Sequence, residues 1–232
     1  ELMVGRRLVM PKAGKALHGE LRASLDQFEL RAGEITGIAG VEGNGQEDLV
    51  HKLLDYVEMN PVPIAVIPAD RHHEGLVLDF KLYENLRLSK QFHPSVSGLK
   101  HFGAVSEYET ELLKEYDVRP ADPELSAAAL SGGNQQKLIV ARELSGLSEK
   151  GVVLAIHPTR GVDLGAIEFI HARIIEAATS GAAVLLISSE LDELMSLSHR
   201  IGALYTGKIT RWFDGPVYDE RQIGFAMLGG AK

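Results

Sequence analysis

Cysteine is absent from the 232 residues of this chain, which rules out disulfides and thiolate metal sites. Long apolar runs are missing as well. Residues 182–187 form one of the longest, far short of the ~20 residues that span a bilayer. A basic excess is lacking too. The 24 Lys and Arg against 32 Asp and Glu leave a net charge of −8, the wrong sign for a general nucleic-acid binder. No signal-peptide pattern opens the chain. What is there is an ordinary apolar content of 45%, enough at this length to bury one sizeable core. These bounds predict a soluble protein whose membrane role, if it has one, comes through a partner.

Apolar patterning divides the chain into alternating strands and helices. Residues 17–31 alternate loosely, as strands with one buried face do. Residues 35–40 read as a short apolar strand ending in glycine. A glycine-rich loop follows over 40–47, and helical spacing runs from Asp48 to Val57. Residues 64–67 read as an apolar strand, 152–156 are a continuous apolar run of the kind buried parallel strands show, and 183–188 read as another buried strand. Helices are expected at 167–179 and 191–197, a helical insertion at about 83–145 and a terminal hairpin at 201–213. The alternation predicts an α/β fold built on a parallel sheet.

The most specific segment is Leu130-Ser131-Gly132-Gly133-Asn134-Gln135-Gln136-Lys137, which opens an apolar helical pattern. Ser131 can cap the helix. Gly132 and Gly133 let an anion come close to backbone N–H groups that lack an intrahelical partner. A bare Ser-Gly-Gly is equally well read as a capped helix after a turn. The full LSGGNQQK resembles the signature motif of ATP-binding cassette (ABC) transporters, in the spelling of sugar and nucleoside importers. The order of elements is similar to an ABC nucleotide-binding domain from about residue 17 to 229. The resemblance implies a P-loop NTPase fold of the ABC type, with a parallel-sheet core, a small antiparallel β part and the helical insertion.

Against that family the hydrolytic positions have changed. A phosphate loop of the form G-x-x-x-x-G-K-[ST] uses its lysine on the β/γ-phosphates and its hydroxyl on Mg²⁺. Here Gly40, Gly43, Asn44 and Gly45 keep the skeleton, but Gln46 stands at the lysine position and Glu47 at the hydroxyl position. Glu42, Glu47 and Asp48 add negative charge where a polyanion would lie, so at most a weak nucleotide site is expected on residues 40–46. Where the family has Asp-Glu at the end of a strand, this chain has Ile156-His157. Ile156 offers a metal nothing. His157 could take a proton near neutral pH, although its plain reading is a polar residue at a strand end. Ser189 stands where the family places a switch histidine. No intact catalytic residue and no metal site remain in this reading. The family's adenine-stacking aromatic has no well-placed counterpart: Phe28 suits a core face, and Leu17-His18 lies nearer the position.

Paired head to tail, as the family's domains are, such a chain still presents Ser131, Gly132, Gly133 and Gln135 to the ATP and Mg²⁺ of a partner domain. The resemblance is closest to the second domains of tandem importer proteins, through Asp70-Arg71, residues 75–80 and residues 84–86. It implies a first nucleotide-binding domain as partner and transmembrane permease subunits docked near Asp70, Arg71, Leu82, Tyr83 and Glu84. An extracytoplasmic binding protein serves these indirectly, and the location is the cytoplasmic face of a bacterial inner membrane. The alternative is a docking scaffold that binds no nucleotide. The chain opens ELMVGRR without an initiator methionine, and Met3-Val4-Gly5 echoes Met227-Leu228-Gly229. From this, residues 1–12 are expected to be the tail of a preceding domain and 13–232 the domain itself. The cargo is expected to be a nucleoside, with ribose-type sugars second. His72-His73 reads as a solvated loop, and His93, His101, His171 and His199 show no ligand spacing.

Overall fold

The computed structural model describes residues 19–88 and 107–230. A small antiparallel hairpin, β1 (Leu21–Leu25) with β2 (Phe28–Arg31), stands apart from a six-stranded sheet of order β4-β5-β6-β3-β7-β8. In the large sheet β3 (Ile35–Ala39), β4 (Ile64–Ile67), β5 (Val152–Ile156), β6 (Ala183–Ser188) and β7 (Arg200–Tyr205) run parallel. The edge strand β8 (Lys208–Asp214) returns antiparallel to β7.

The continuous apolar runs are explained by burial on both faces. Val153, Ala155, Val184 and Leu186 join one cluster, while Val152, Leu154, Leu185 and Ile187 join the other. Successive side chains of a strand point to opposite faces, so a sheet covered on both sides needs an apolar residue at every position. Helix α1 (Gln46–Met59) and the β1–β2 hairpin cover one face, with Leu49, Leu53, Ala23 and Leu30 inside. The other face carries α4 (Gly132–Leu144), α5 (Leu164–Thr179), α6 (Leu191–Leu197) and α7 (Glu220–Met227). The insertion contributes α2 (Leu82–Leu86) and α3 (Glu107–Glu115) to this second cluster, through Leu82, Leu86, Leu112 and Leu113.

Two helix starts and one whole helix differ from the sequence pattern. Helix α1 begins two residues early, at Gln46, because Gly45 takes the left-handed conformation at the N-cap (φ 100°) that starts the turn. Helix α5 begins at Leu164, because Asp163 accepts a hydrogen bond from Ala166 N (3.0 Å) and caps it. Helix α7 was not anticipated. Asp219 caps it, and Ile223, Ala226 and Met227 turn inward at helical spacing, too short a pattern to stand out. Residues 1–12, 17, 18, 93 and 101, on which several expectations rest, lie outside the described residues.

Candidate functional site

Strands β3, β5 and β6 end side by side, since Ile38 and Ile156 both register with Ile187. The loops leaving them are therefore neighbours, and they carry most of the positions singled out in the sequence. The loop after β3 is closed on itself. Gln46 folds back, its Nε2 donating to Val41 O (2.7 Å) and its Oε1 accepting from Asn44 N (3.0 Å). The side chain is buried against Gly40, where a methyl group would meet Gln46 Nε2 at 2.8 Å. An N–H group that such a loop would turn to an anion is thus already paired within the protein. The loop is also tethered from behind, with Gly207 N donating to Asn44 O (2.7 Å) and Asn44 Nδ2 to Met227 O (3.4 Å). Gly45 packs so closely on this hairpin that a methyl group on it would lie 2.6 Å from Gly207 Cα.

Charge agrees with geometry here. Helix α1 carries Glu47 and Asp48 in its first turn and lacks a side-chain cap. Carboxylates are favoured at this end of a helix, so they satisfy the positive end of the dipole themselves. Glu42 is held by Arg160, Oε1 to Nη1 at 2.5 Å, which engages that guanidinium within the protein.

Beyond β5 and β6 lies a cavity of about 450 Å³ lined by Glu42, His157, Arg160, Ser189, Glu190 and Glu193, among others. His157 sits in the left-handed region (φ 45°) with its N–H bonded to Ile187 O (2.8 Å). Burial, reinforced by Arg160, lowers its pKa below the usual 6.5 and keeps the ring neutral at pH 7. Ile156 packs against the apolar cluster beneath the α1 side of the sheet, and Ser189 is exposed. Behind them Glu193 is buried, its Oε1 accepting from Thr159 Oγ1 (2.6 Å) and paired with His171 Nε2 (2.9 Å). Burial alone raises a carboxyl pKa, but the bonds from His171 and Thr159 outweigh it and leave Glu193 below the ordinary value. His171 is thus a buried structural partner. Among the described residues no cluster of three His, Asp or Glu side chains could hold a metal ion. The loop is filled by Gln46, Arg160 is engaged, and the strand-end residue Ile156 has no ligand atom.

The signature segment is arranged in the opposite way. Ser131 caps α4, its Oγ accepting from Asn134 Nδ2 (3.0 Å) and more distantly from Asn134 N (3.4 Å). Ser131 is exposed, Gly132 half-buried, and no acidic residue occupies the first turn. Gly133 lies inward, where a methyl group would overlap Asp163 Oδ2 and come within 3.0 Å of Ala166 Cβ. Asn134 Oδ1 accepts from Arg119 N (2.9 Å), and Lys137 Nζ pairs with Asp117 Oδ2 (2.6 Å). These side chains brace the helix start. Gln135 differs from Ser131 and Gly132: its side chain is buried, the oxygen bonded to His72 Nε2 (3.0 Å) and the amide to Ala127 O (3.2 Å). It turns into the interior and away from the surface those two residues present.

His72 and His73 are exposed, as the solvated reading expects, but they belong to a single π-helical turn, Arg71–Gly75, rather than to an irregular loop. Asp70 caps this turn and pairs with His73 Nδ1 (2.7 Å), and that bond holds its carboxyl down at about 2. The turn brings Arg71 to the signature, a placement with no sequence signal because the two segments are some sixty residues apart. Leu82 and Tyr83 are buried, and Glu84 accepts from Lys81 N (2.7 Å). The open surface nearby is a cavity of about 360 Å³ lined by residues including Leu54, His73, Glu74, Val77 and Leu88.

No protein-family model matches the chain. Among solved structures, the ATP-binding subunit of an ABC transporter superposes with a TM-score of 0.64 at 21% identity, covering 94% of this chain and 93% of that one. A nucleotide-free ATP-binding cassette from an ABC transporter gives 0.65 at 17%, covering 90% and 92%. The fold is that of ABC-transporter ATP-binding domains. Curated relatives of the domain include the nucleoside import ATP-binding protein of Lactococcus lactis, 36% identical over 93% of this chain and 47% of the relative. The guanosine import ATP-binding protein of Bacillus subtilis is 39% identical over 88% and 44%. The ribose import ATP-binding protein of Shouchella clausii is 33% identical over 88% and 45%. The domain spans about half the length of these relatives. None of its described helices is long and apolar enough to cross a membrane.

Proposed function

We propose that this domain is the nucleotide-silent, second half of an ABC importer ATP-binding protein and completes the ATP site of a partner domain. The observation that carries the reading is the contrast between two helix starts. At α1 Gln46 occupies the loop, whereas at α4 Ser131 and Gly132 remain presented and the first turn has no acidic residue of its own. The partner is the first nucleotide-binding domain, in the same chain or another. A bacterial ABC transporter cassette of this fold was solved as a dimer, which supports a paired arrangement.

ATP bound by the partner supplies the phosphates and Mg²⁺ that the chemistry needs, and this domain supplies an anion-facing surface. The Ser131 hydroxyl and the N–H groups opening α4 orient and stabilise negative charge, at low reorganisation cost because the helix start is braced by Asn134, Lys137 and Asp163. Glu193 fixes Thr159 and with it the 159–163 loop beside the signature. The names of the curated relatives support uptake of nucleosides, or of ribose-type sugars, through permease subunits at the cytoplasmic face of a bacterial inner membrane. An extracytoplasmic binding protein delivers the cargo.

In the full-length protein Ser131→Arg abolishes ATP turnover and Gln46→Ala leaves it nearly unchanged. Equal losses from the two would sink the asymmetry. Magnesium-dependent turnover by this domain alone would remove the claim of a silent site.

A further inference from the structure

Arg71 stands out among the guanidinium groups near the candidate site. Arg160 is spent on Glu42, whereas no described carboxylate lies within ion-pair distance of Arg71. Its Nη1 donates only to a carbonyl, Arg160 O, at 3.1 Å, and its Nε is buried without any hydrogen-bond partner. The guanidinium is wedged between two glycines. A methyl group on Gly132 would sit 2.9 Å from Nη2, and one on Gly161 would sit 3.8 Å from Nη1. Arg71 therefore lies directly against the N-terminal turn of α4, beside the N–H groups left free there.

This is an electrostatically awkward place for a cation. The start of a helix carries a partial positive charge, so a guanidinium set against it is repelled unless an anion bridges the two. The first turn of α4 has no carboxylate of its own to do so, whereas α1 carries Glu47 and Asp48 at the corresponding place; Asp163, packed on the inner side of that turn against Gly133, caps α5 through Ala166 N and lies outside ion-pair distance of Arg71. The turn over Arg71–Gly75 nonetheless holds the residue there, through the Asp70 cap and the bond from His72 to Gln135 on α4. A planar fork beside a row of backbone donors matches a phosphate, which accepts bonds from both at once.

We propose that Arg71 is a nucleotide-contacting residue, reaching across the domain interface to the terminal phosphate of the ATP received on Ser131 and Gly132. The assignment rests on the reading of α4 given above and adds a full positive charge to a surface otherwise made of a hydroxyl and backbone N–H groups. It also separates Arg71 from the permease-docking residues with which it is adjacent in sequence.

The test uses the full-length protein and compares two probes, a non-hydrolysable ATP analogue and ADP, each with Mg²⁺, by calorimetric titration alongside steady-state ATPase assays. Arg71→Met weakens binding of the analogue by about tenfold, the scale of one lost charge-assisted bond, and leaves ADP binding essentially unchanged. Arg71→Lys, which keeps the charge and loses the fork, recovers part of the loss. Analogue affinity equal to the parent's in Arg71→Met overturns the proposal. So does a parallel loss for analogue and ADP, which is what a residue that only braces the 159–163 loop produces. Ser131→Arg runs as the companion variant. Loss of analogue binding there with none in Arg71→Met removes the Arg71 assignment alone. Unchanged analogue binding in Ser131→Arg removes the reading of α4, and Arg71 falls with it.

Discussion

Helices α1 and α4 both start on glycines, and the two starts have opposite fates. At α1 the protein meets its own needs: Gln46 bonds Val41 and Asn44, Glu47 and Asp48 sit at the positive end of the helix, and Arg160 is bound to Glu42. At α4 the side chains brace the helix from the interior and leave its tip presented, with Arg71 alongside. The lesson is that glycine-rich helix starts become anion sites only when the surrounding side chains leave the N–H groups unanswered. The same backbone device is internal structure at α1 and an outward surface at α4.

The comparison breaks most sharply on two crowded glycines. Gly133→Ala drives a methyl group into Asp163 and Ala166, disturbing the α5 cap and the signature together. It costs roughly 1–3 kcal/mol and abolishes turnover of the full-length protein. Gly40→Ala presses instead on Gln46, so it lowers stability by roughly 1 kcal/mol through the displaced amide bonds and spares turnover. Thermal unfolding and ATPase assays on both variants check the pair, and comparable loss of turnover would erase the contrast. A middle-sized effect comes from rebuilding α1. Gln46→Lys with Glu47→Thr empties the loop of its amide and restores a cation and a hydroxyl. Nucleotide affinity of the isolated domain should rise by about tenfold in calorimetry, equivalent to one added charge-assisted interaction. No gain would mean that Gln46 is not what closes the loop.

The smallest expected effect is on pH. His157 has a pKa below 6.5 in the folded state, so the unfolded chain binds its proton first. Stability from this group is complete above the unfolded value of 6.5, declines as pH falls below it and levels off beneath the folded pKa. His157→Asn, which tolerates the left-handed backbone, should flatten the unfolding midpoint between pH 7 and 5 relative to the parent. An unchanged slope would show that the ring does not titrate against folding. Glu193, whose pKa is lowered, acts only further into acid, where its contribution is lost as pH falls through the folded value.

Much of this was legible in the chain. Strands β4 and β5 follow their apolar runs residue for residue and β6 runs one residue further, to the buried Ser188, because strands covered by helices and the hairpin carry few polar positions to blur their ends. Ser131 as a cap was readable from its place before a helical pattern. Harder to see were the short helix α7, the early starts of α1 and α5, and the inward turn of Gln135, which the motif alone groups with its exposed neighbours.

By itself, the sequence determined which side chains stand in the loop after β3 and at the end of β5 and which helix starts could face an anion, since both depend on residue type at short spacing. Only the tertiary structure decided how those starts are used. It set the β6-β3-β7 neighbourhood, the return of Gln46 into its own loop, the buried Glu193–His171 pair and the placing of Arg71 against Gly132. Charges and donors are local properties of the chain, but whether they are satisfied depends on partners brought close by packing between segments far apart along it.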